Sequence, residues 1–372
     1  MNGDVAPTRG RGRIIGCCIA LTLALSALVF APAAANAVLA PTTTVLALGD
    51  SISFGYTQEK FNVNYPNESP SYFEGGLANT FAKFLGNKEE VGKGIVVVNS
   101  SCPGETSNGL IGENPAIGGK ESTEPLGSKG EGSYHPCAYH QLSGLPLHNS
   151  LASTSQLEDA LSILKEGKPA HPIKAITLNI GSNDELAAIA KCEKEIGEEW
   201  AKEGKSKYGG ENPKQSFTLC VGFTAKEVTF PHILKNIGDI LGVIDSKEPG
   251  GGHYTGAIIL MGFYNPDGIV LPGSDLLQDG FNTAIEKEIV PLFPNVTFAN
   301  PLPTFNKGAT VKTEQVSICR FTEMCNPNVQ VAEGKNPASP VFGKDGDIHP
   351  SALGYVTLGK LANEAWLANP AK

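Results

Sequence analysis

The sequence predicts an α/β fold, an open parallel sheet covered by helices on both faces. Three observations point there. Residues 44–48, 94–98, 173–180 and 257–263 are rich in Val, Ile or Leu and apolar on both faces, as covered parallel strands are. Stretches with helical periodicity lie between these runs. Gly and Pro number 43 and 26 among 372 residues while 41% are hydrophobic, which indicates long loops on a chain that still collapses.

In chain order, Thr-Val-Leu-Ala-Leu at 44–48 opens the sheet. Residues 71–85 repeat apolar positions at Leu77, Phe81 and Leu85, one face of a helix. The β-branched run at 94–98 is the second strand, and Ser155 begins a helix over 155–165. Residues 173–180 form the third strand. Ile233, Ile237, Ile240 and Ile244 then mark a helix over 233–244. The fourth strand is 257–263, followed by a helix over 276–289, a weaker strand at 296–298 and a last helix over 351–367. Ligands of such sheets sit beyond the carboxyl ends of the strands.

Three segments break the alternation: 105–150, 192–220 and 319–343. They read as ordered insertions because cysteines bracket or open them. No internal repeat and no clean linker divides the chain, so one domain is expected over 38–372. The net charge of −9 supplies no basic field for phosphates and excludes a nucleic-acid binder.

The N-terminus carries Arg9, Arg11 and Arg13, an apolar run over 14–30 and a small-x-small site at Ala35-Asn36-Ala37. That order is a secretory signal peptide over 1–37, cleaved near Ala37. An uncleaved anchor is the alternative. The expectation is a secreted protein without a stable membrane anchor. Cys17 and Cys18 leave with the signal. In an oxidising compartment the remaining cysteines are expected as disulfides. Their order suggests Cys102–Cys137, Cys192–Cys220 and Cys319–Cys325, although sequence leaves other pairings open. His135, Cys137 and His140 offer metal ligands but lack a second cluster, so no metal is expected.

The chemistry gathers at strand ends. Gly49-Asp50-Ser51 closes the first strand, where a serine can project its hydroxyl into the crevice or simply cap a helix. Gly104, in Cys-Pro-Gly-Glu-Thr, permits close backbone approach or makes an ordinary turn. Asn183, in Gly-Ser-Asn-Asp, can donate to an oxyanion or cap a helix. His349 stands before Pro350 and a helix, and read alone it is as well a packing residue as a base. A serine nucleophile needs a positioned imidazole, and a third group to orient it. The elbow Gly-x-Ser-x-Gly does not occur.

Together Gly49-Asp50-Ser51, Gly104, Gly181-Ser182-Asn183-Asp184 and His349-Pro350 resemble the four blocks of the SGNH (GDSL-type) hydrolase family, in the family's order across 44–367. The Cys-Pro-Gly-Glu-Thr run and the later cysteines resemble its secreted bacterial lipases and esterases. The resemblance implies a three-layer α/β/α sandwich with a flavodoxin-like sheet, and carboxylic ester hydrolysis. By position Ser51 is the nucleophile and His349 the general base and acid. The backbone N–H groups of Ser51 and Gly104 and the Asn183 amide form the oxyanion hole. The family's usual Asp three residues before the His is here Gly346. Asp347, Asp345 or a loop carbonyl can orient His349, with Asp347 preferred.

A neutral His349 must accept the proton, so activity should fall at acid pH. No cofactor is required. The expected protein is a monomer acting on a small-molecule or lipid ester. The alternatives are an O-deacetylase of cell-wall or plant polysaccharide and a non-catalytic secreted binding protein. The 105–150 insertion follows Gly104 directly and is placed to shape the substrate side, where Leu145 and Leu147 line a pocket or fill a satellite core.

Overall fold

The computed structural model describes residues 43–64, 66–89, 95–112, 137, 140, 144–149, 155–165, 172–269, 271, 273–308, 311–326 and 347–372. The expected signal segment, most of the 105–150 insertion, and Asp345 and Gly346 lie outside these residues. All described residues belong to one compact unit, Leu39–Lys372.

Strand β1 (Thr43–Gly49) leads through helix α1 (Ser51–Phe54), α2 (Gln58–Asn64) and α3 (Leu77–Glu89) to β2 (Ile95–Asn99). Helices α4 (Ser107–Ile111) and α5 (Gln156–Lys165) precede β3 (Ile173–Asn179). Then come α6 (Ser182–Glu203), α7 (Pro213–Thr224), α8 (Phe230–Asp245) and β4 (Ala257–Met261). Helix α9 (Ser274–Ala284), β5 (Val296–Ala299), α10 (Leu302–Phe305) and α11 (Val311–Phe321) follow. The chain closes with β6 (Thr322–Glu323), β7 (Asp347–Pro350) and α12 (Ala352–Ala368).

The five-stranded sheet is parallel throughout, in the order β2-β1-β3-β4-β5. This is the flavodoxin-like order, and the expected three-layer α/β/α sandwich is the observed architecture. Alternation along each strand divides the core. Leu46, Leu48, Ile176, Leu178, Ile258 and Leu260 pack with α5, α8 and α9 on one face. Val45, Ala175, Ile259 and Met261 pack with α3 and α12 on the other, around Phe81, Leu358 and Trp366. Each large aliphatic side chain taken fully from water contributes about 1.5–3 kcal/mol, so the sheet is rigid where the site is built.

The helix expected over 71–85 is instead a short 3-10 turn (Pro70–Phe73) followed by α3. The break falls at Gly75 and Gly76: Gly75 has φ +132°, and a Cβ on Gly76 would stand 2.5 Å from the Gly55 nitrogen. Backbone packs on backbone there, which no regular helix carrying side chains allows.

The 192–220 segment is two helical stretches, the end of α6 and the start of α7, joined by a turn over 204–212. Cys192 on α6 bonds Cys220 on α7, and Ile196, Val221 and Trp200 pack around the bridge. A π turn (Ala225–Thr229) joins α7 to α8 immediately before Pro231, where the missing proline N–H interrupts the helical ladder. Cys102–Cys137 and Cys319–Cys325 are also bonded. Among the described residues no helix is long and apolar enough to cross a membrane.

Candidate active site

Strand β1 ends at Gly49, with φ +135°. A Cβ there would meet the Asn179 carbonyl oxygen at 2.0 Å, so only glycine lets β1 run this close to the end of β3. Asp50 then donates its N–H to the Asn179 carbonyl at 3.0 Å, and its carboxylate accepts from the Ile52 N–H at 3.0 Å. That N-cap starts α1 with Ser51 as its first residue. Gly55, at φ +91°, ends the helix after one turn. Burial pushes the Asp50 carboxyl up to about 7, against the pull of the Ile52 N–H and the charge on His349.

The loop after β2 is hung on the same strand end, since the Cys102 N–H donates to the Gly49 carbonyl at 3.0 Å. Gly104 turns it at φ +78°, and Thr106 caps α4 by accepting from the Gly109 N–H. The turn after β3 is latched to this loop at two points. Asn183 donates from Nδ2 to the Glu105 carbonyl at 2.8 Å. Asp184 accepts from the Ser107 N–H at 2.8 Å and from its hydroxyl at 2.7 Å. Burial raises the Asp184 carboxyl, and the two Ser107 donors offset part of that rise. The residues flanking Ser51, Gly104 and Asn183 thereby share one hydrogen-bonded network at the topological switch between β1 and β3, where open α/β sheets bind ligands.

His349 arrives from a different element. Strand β7 pairs antiparallel with β6, Thr322 opposite Pro350 and Glu323 opposite Asp347. In an extended segment residues i and i+2 face the same way, so Asp347 and His349 share one side while Ile348 packs on the core. Asp347 Oδ1 accepts from His349 Nδ1 and from the His349 backbone N–H, and Oδ2 accepts from the Gln58 N–H at 2.7 Å. Burial alone would raise the Asp347 carboxyl. The charge and N–H of His349, with the Gln58 N–H, outweigh it and hold the group below the ordinary carboxylate range. Both residues are buried, with side-chain exposures of 10% for His349 and 3% for Asp347.

The pair lies against α1. The Tyr56 ring meets the His349 imidazole edge-on at 4.8 Å, and the charges of His349 and Asp50 act on each other. Tyr264 donates to the Ile348 carbonyl at 2.7 Å, and Tyr355, from α12, donates to the Tyr56 carbonyl at 2.7 Å. These two phenols fix β7 against the core and α12 against the end of α1.

The buried groups that support these loops were not legible in advance. Gln58 gives its backbone N–H to Asp347 and accepts the Tyr56 hydroxyl on its side-chain oxygen at 3.2 Å. Glu105 stands in the Cys-Pro-Gly-Glu-Thr run, which does not mark its carboxyl as buried, and the one signal for Gln156 is a polar residue opening the buried face of α5. Cys102, Glu105 and Cys137 lie close enough to suggest a metal cluster. Both sulfurs are joined in a disulfide, whereas metal binding needs thiolates. Leu145 is 1% exposed in a satellite core with Phe54, Tyr56, Phe61 and Phe73, so it does not form an open pocket wall.

No family model and no curated protein matches the chain. Among solved structures it is similar to a carbohydrate esterase family 2 enzyme carrying a carbohydrate-binding domain, from Corynascus thermopiles (Myceliophthora fergusii). That pair is 13% identical over 89% of this chain and 67% of the other, with a TM-score of 0.40. It is also similar to a mutant acetyl xylan esterase from Geobacillus stearothermophilus, 13% identical over 89% of this chain and 95% of the other, with a TM-score of 0.38. Likeness of this degree says nothing about what this chain acts on.

Proposed function

We propose that this chain is a secreted serine hydrolase of carboxylic esters, a single catalytic domain over 38–372 of the SGNH type. The observation that carries the reading is the buried His349–Asp347 pair set against the turn that presents Ser51. In this mechanism His349 Nε2 takes the Ser51 hydroxyl proton as Oγ bonds to the ester carbonyl carbon. The oxyanion is stabilised by the Ser51 and Gly104 N–H groups and by the Asn183 N–H that does not bond Glu105. His349 then protonates the leaving alkoxide as the acyl C–O bond breaks. Water attacks the acyl-enzyme, gives its proton to His349, and Ser51 is released as the hydroxyl. Asp347 holds Nδ1 protonated, which leaves Nε2 as the base.

The second reading concerns the acyl group. Leu145 fills a core with Phe54, Tyr56, Phe61 and Phe73, and a carbohydrate O-deacetylase taking short acyl groups stands beside a lipase taking long ones. A panel of esters of graded acyl length, run beside acetylated xylan and phospholipid, separates these. Ser51→Ala should abolish both turnover of a chromogenic ester and labelling by a fluorophosphonate. Wild-type-like activity in that variant would overturn the assignment.

A further inference from the structure

Two buried polar side chains have no part in this chemistry, yet they join the strand end before Ser51 to the loop that carries Gly104. Gln156, the first residue of α5, is 0% exposed. Its Oε1 accepts from the Gly49 N–H at 2.9 Å, and its Nε2 donates back to the Gly49 carbonyl at 2.8 Å. The same Nε2 donates to Glu105 Oε2 at 2.7 Å, an oxygen that also accepts from the Cys137 N–H at 3.1 Å. Glu105 is 0% exposed, and its own backbone carbonyl is the acceptor for Asn183 Nδ2. One contiguous chain of bonds therefore runs from the residue two before Ser51, through Gln156, to the residue after Gly104, and on to Asn183.

The amide orientation is determined by its partners. Turned over, Gln156 would set a carbonyl against the Gly49 carbonyl and an N–H against the Gly49 N–H. Each amide N–H then has one acceptor and the amide oxygen one donor, a fully satisfied group in a low-dielectric site, where such bonds are strong and costly to break.

We propose that Gln156 and Glu105 are positioning residues that set the spacing of the oxyanion-hole donors, resting on the ester-hydrolase reading above. The physical need is plain. Ser51, Gly104 and Asn183 follow three different strands, and strand register alone leaves each loop tip free to shift. A displacement of about 1 Å at a reacting geometry can cost on the order of 10²-fold in rate. Gln156 removes that freedom by acting as a side-chain strand partner for Gly49 while gripping Glu105.

The test uses the full secreted chain with p-nitrophenyl acetate. Gln156→Leu removes all three bonds at similar volume and should lower kcat about 10- to 100-fold with KM nearly unchanged. Glu105→Ala should do the same, and Glu105→Gln, which keeps an acceptor for Gln156 and Cys137, should restore most of the loss. The decisive readout is a double-mutant cycle with Asn183→Ala. If Gln156 acts through the oxyanion hole, the double variant falls by less than the product of the two single losses. A merely structural role gives a multiplicative loss, or a lowered Tm with kcat intact, and either result overturns the proposal. Should Gln156→Leu not fold, Gln156→Glu, which keeps the acceptor and loses both donors, runs the same cycle. Wild-type protein that neither turns over the ester nor takes a fluorophosphonate label overturns the hydrolase reading and this proposal with it. Full kcat in Gln156→Leu beside a dead Ser51→Ala overturns this proposal alone.

Discussion

Replacing Asp347 with alanine tests the proposed mechanism at its most buried point. The side chain is 3% exposed and its carboxylate accepts three N–H groups: His349 Nδ1, the His349 backbone and the Gln58 backbone at 2.7 Å. Alanine leaves all three without an acceptor, and breaking a buried ionic pair from one side costs about 3–5 kcal/mol of stability. The rate should fall further than stability alone explains. Without the carboxylate nothing stabilises the imidazolium or keeps the proton on Nδ1, a loss of about 10⁴ in kcat for serine triads. The assay is kcat and KM on a chromogenic ester, with urea unfolding alongside, and Asp345→Ala as a companion that should keep its activity. The pH dependence has a definite sign. The folded-state value of Asp347 lies below its unfolded value of 3.8, so its stabilisation is present above that pH and lost as pH falls through the folded value. The stability gap between wild type and Asp347→Ala should therefore be constant near neutrality and close in strong acid. Retention of kcat within about tenfold would refute the reasoning and move the orienting role to a backbone carbonyl.

Two other expectations can be checked with the same preparations. Asn183→Ala should cost about 10²–10³ in kcat, roughly 2.7–4 kcal/mol of transition-state stabilisation, with little change in KM; a KM effect alone would place Asn183 in ground-state binding. Burial pushes Glu105 up to about 8 from an ordinary value of 4.5. The folded chain then holds a proton the unfolded chain has released, so stability should decline from about pH 4.5 to about pH 8, and Glu105→Gln should flatten that decline in urea midpoints. Parallel midpoint curves for the two proteins would show that Glu105 is ionised throughout.

The sequence by itself determined the architecture. Runs such as Val45–Leu48 are apolar on both faces because helices cover both sides of the sheet, and that constraint is local enough to read. Ser51, Gly104, Asn183 and His349 were also legible as candidates, because each sits at a strand end or beside a helix start. What acts over long sequence separations was not. The sequence leaves Asp347, Asp345 and a carbonyl as candidates to orient His349, and only the pairing of β6 with β7 shows residues 347 and 349 on one face with Asp347 accepting from Nδ1. The helical pair around Cys192 and Cys220 breaks the alternation in the sequence because its apolar residues face each other around the bridge and not the main core. Gln156 lies more than a hundred residues beyond Gly49, and only the packing of α5 beside the end of β1 turns an unremarked glutamine into its strand partner. Periodicity records which face of an element is buried; which buried polar groups then meet is decided by crossovers that bring distant segments together, and that is a property of the tertiary structure alone.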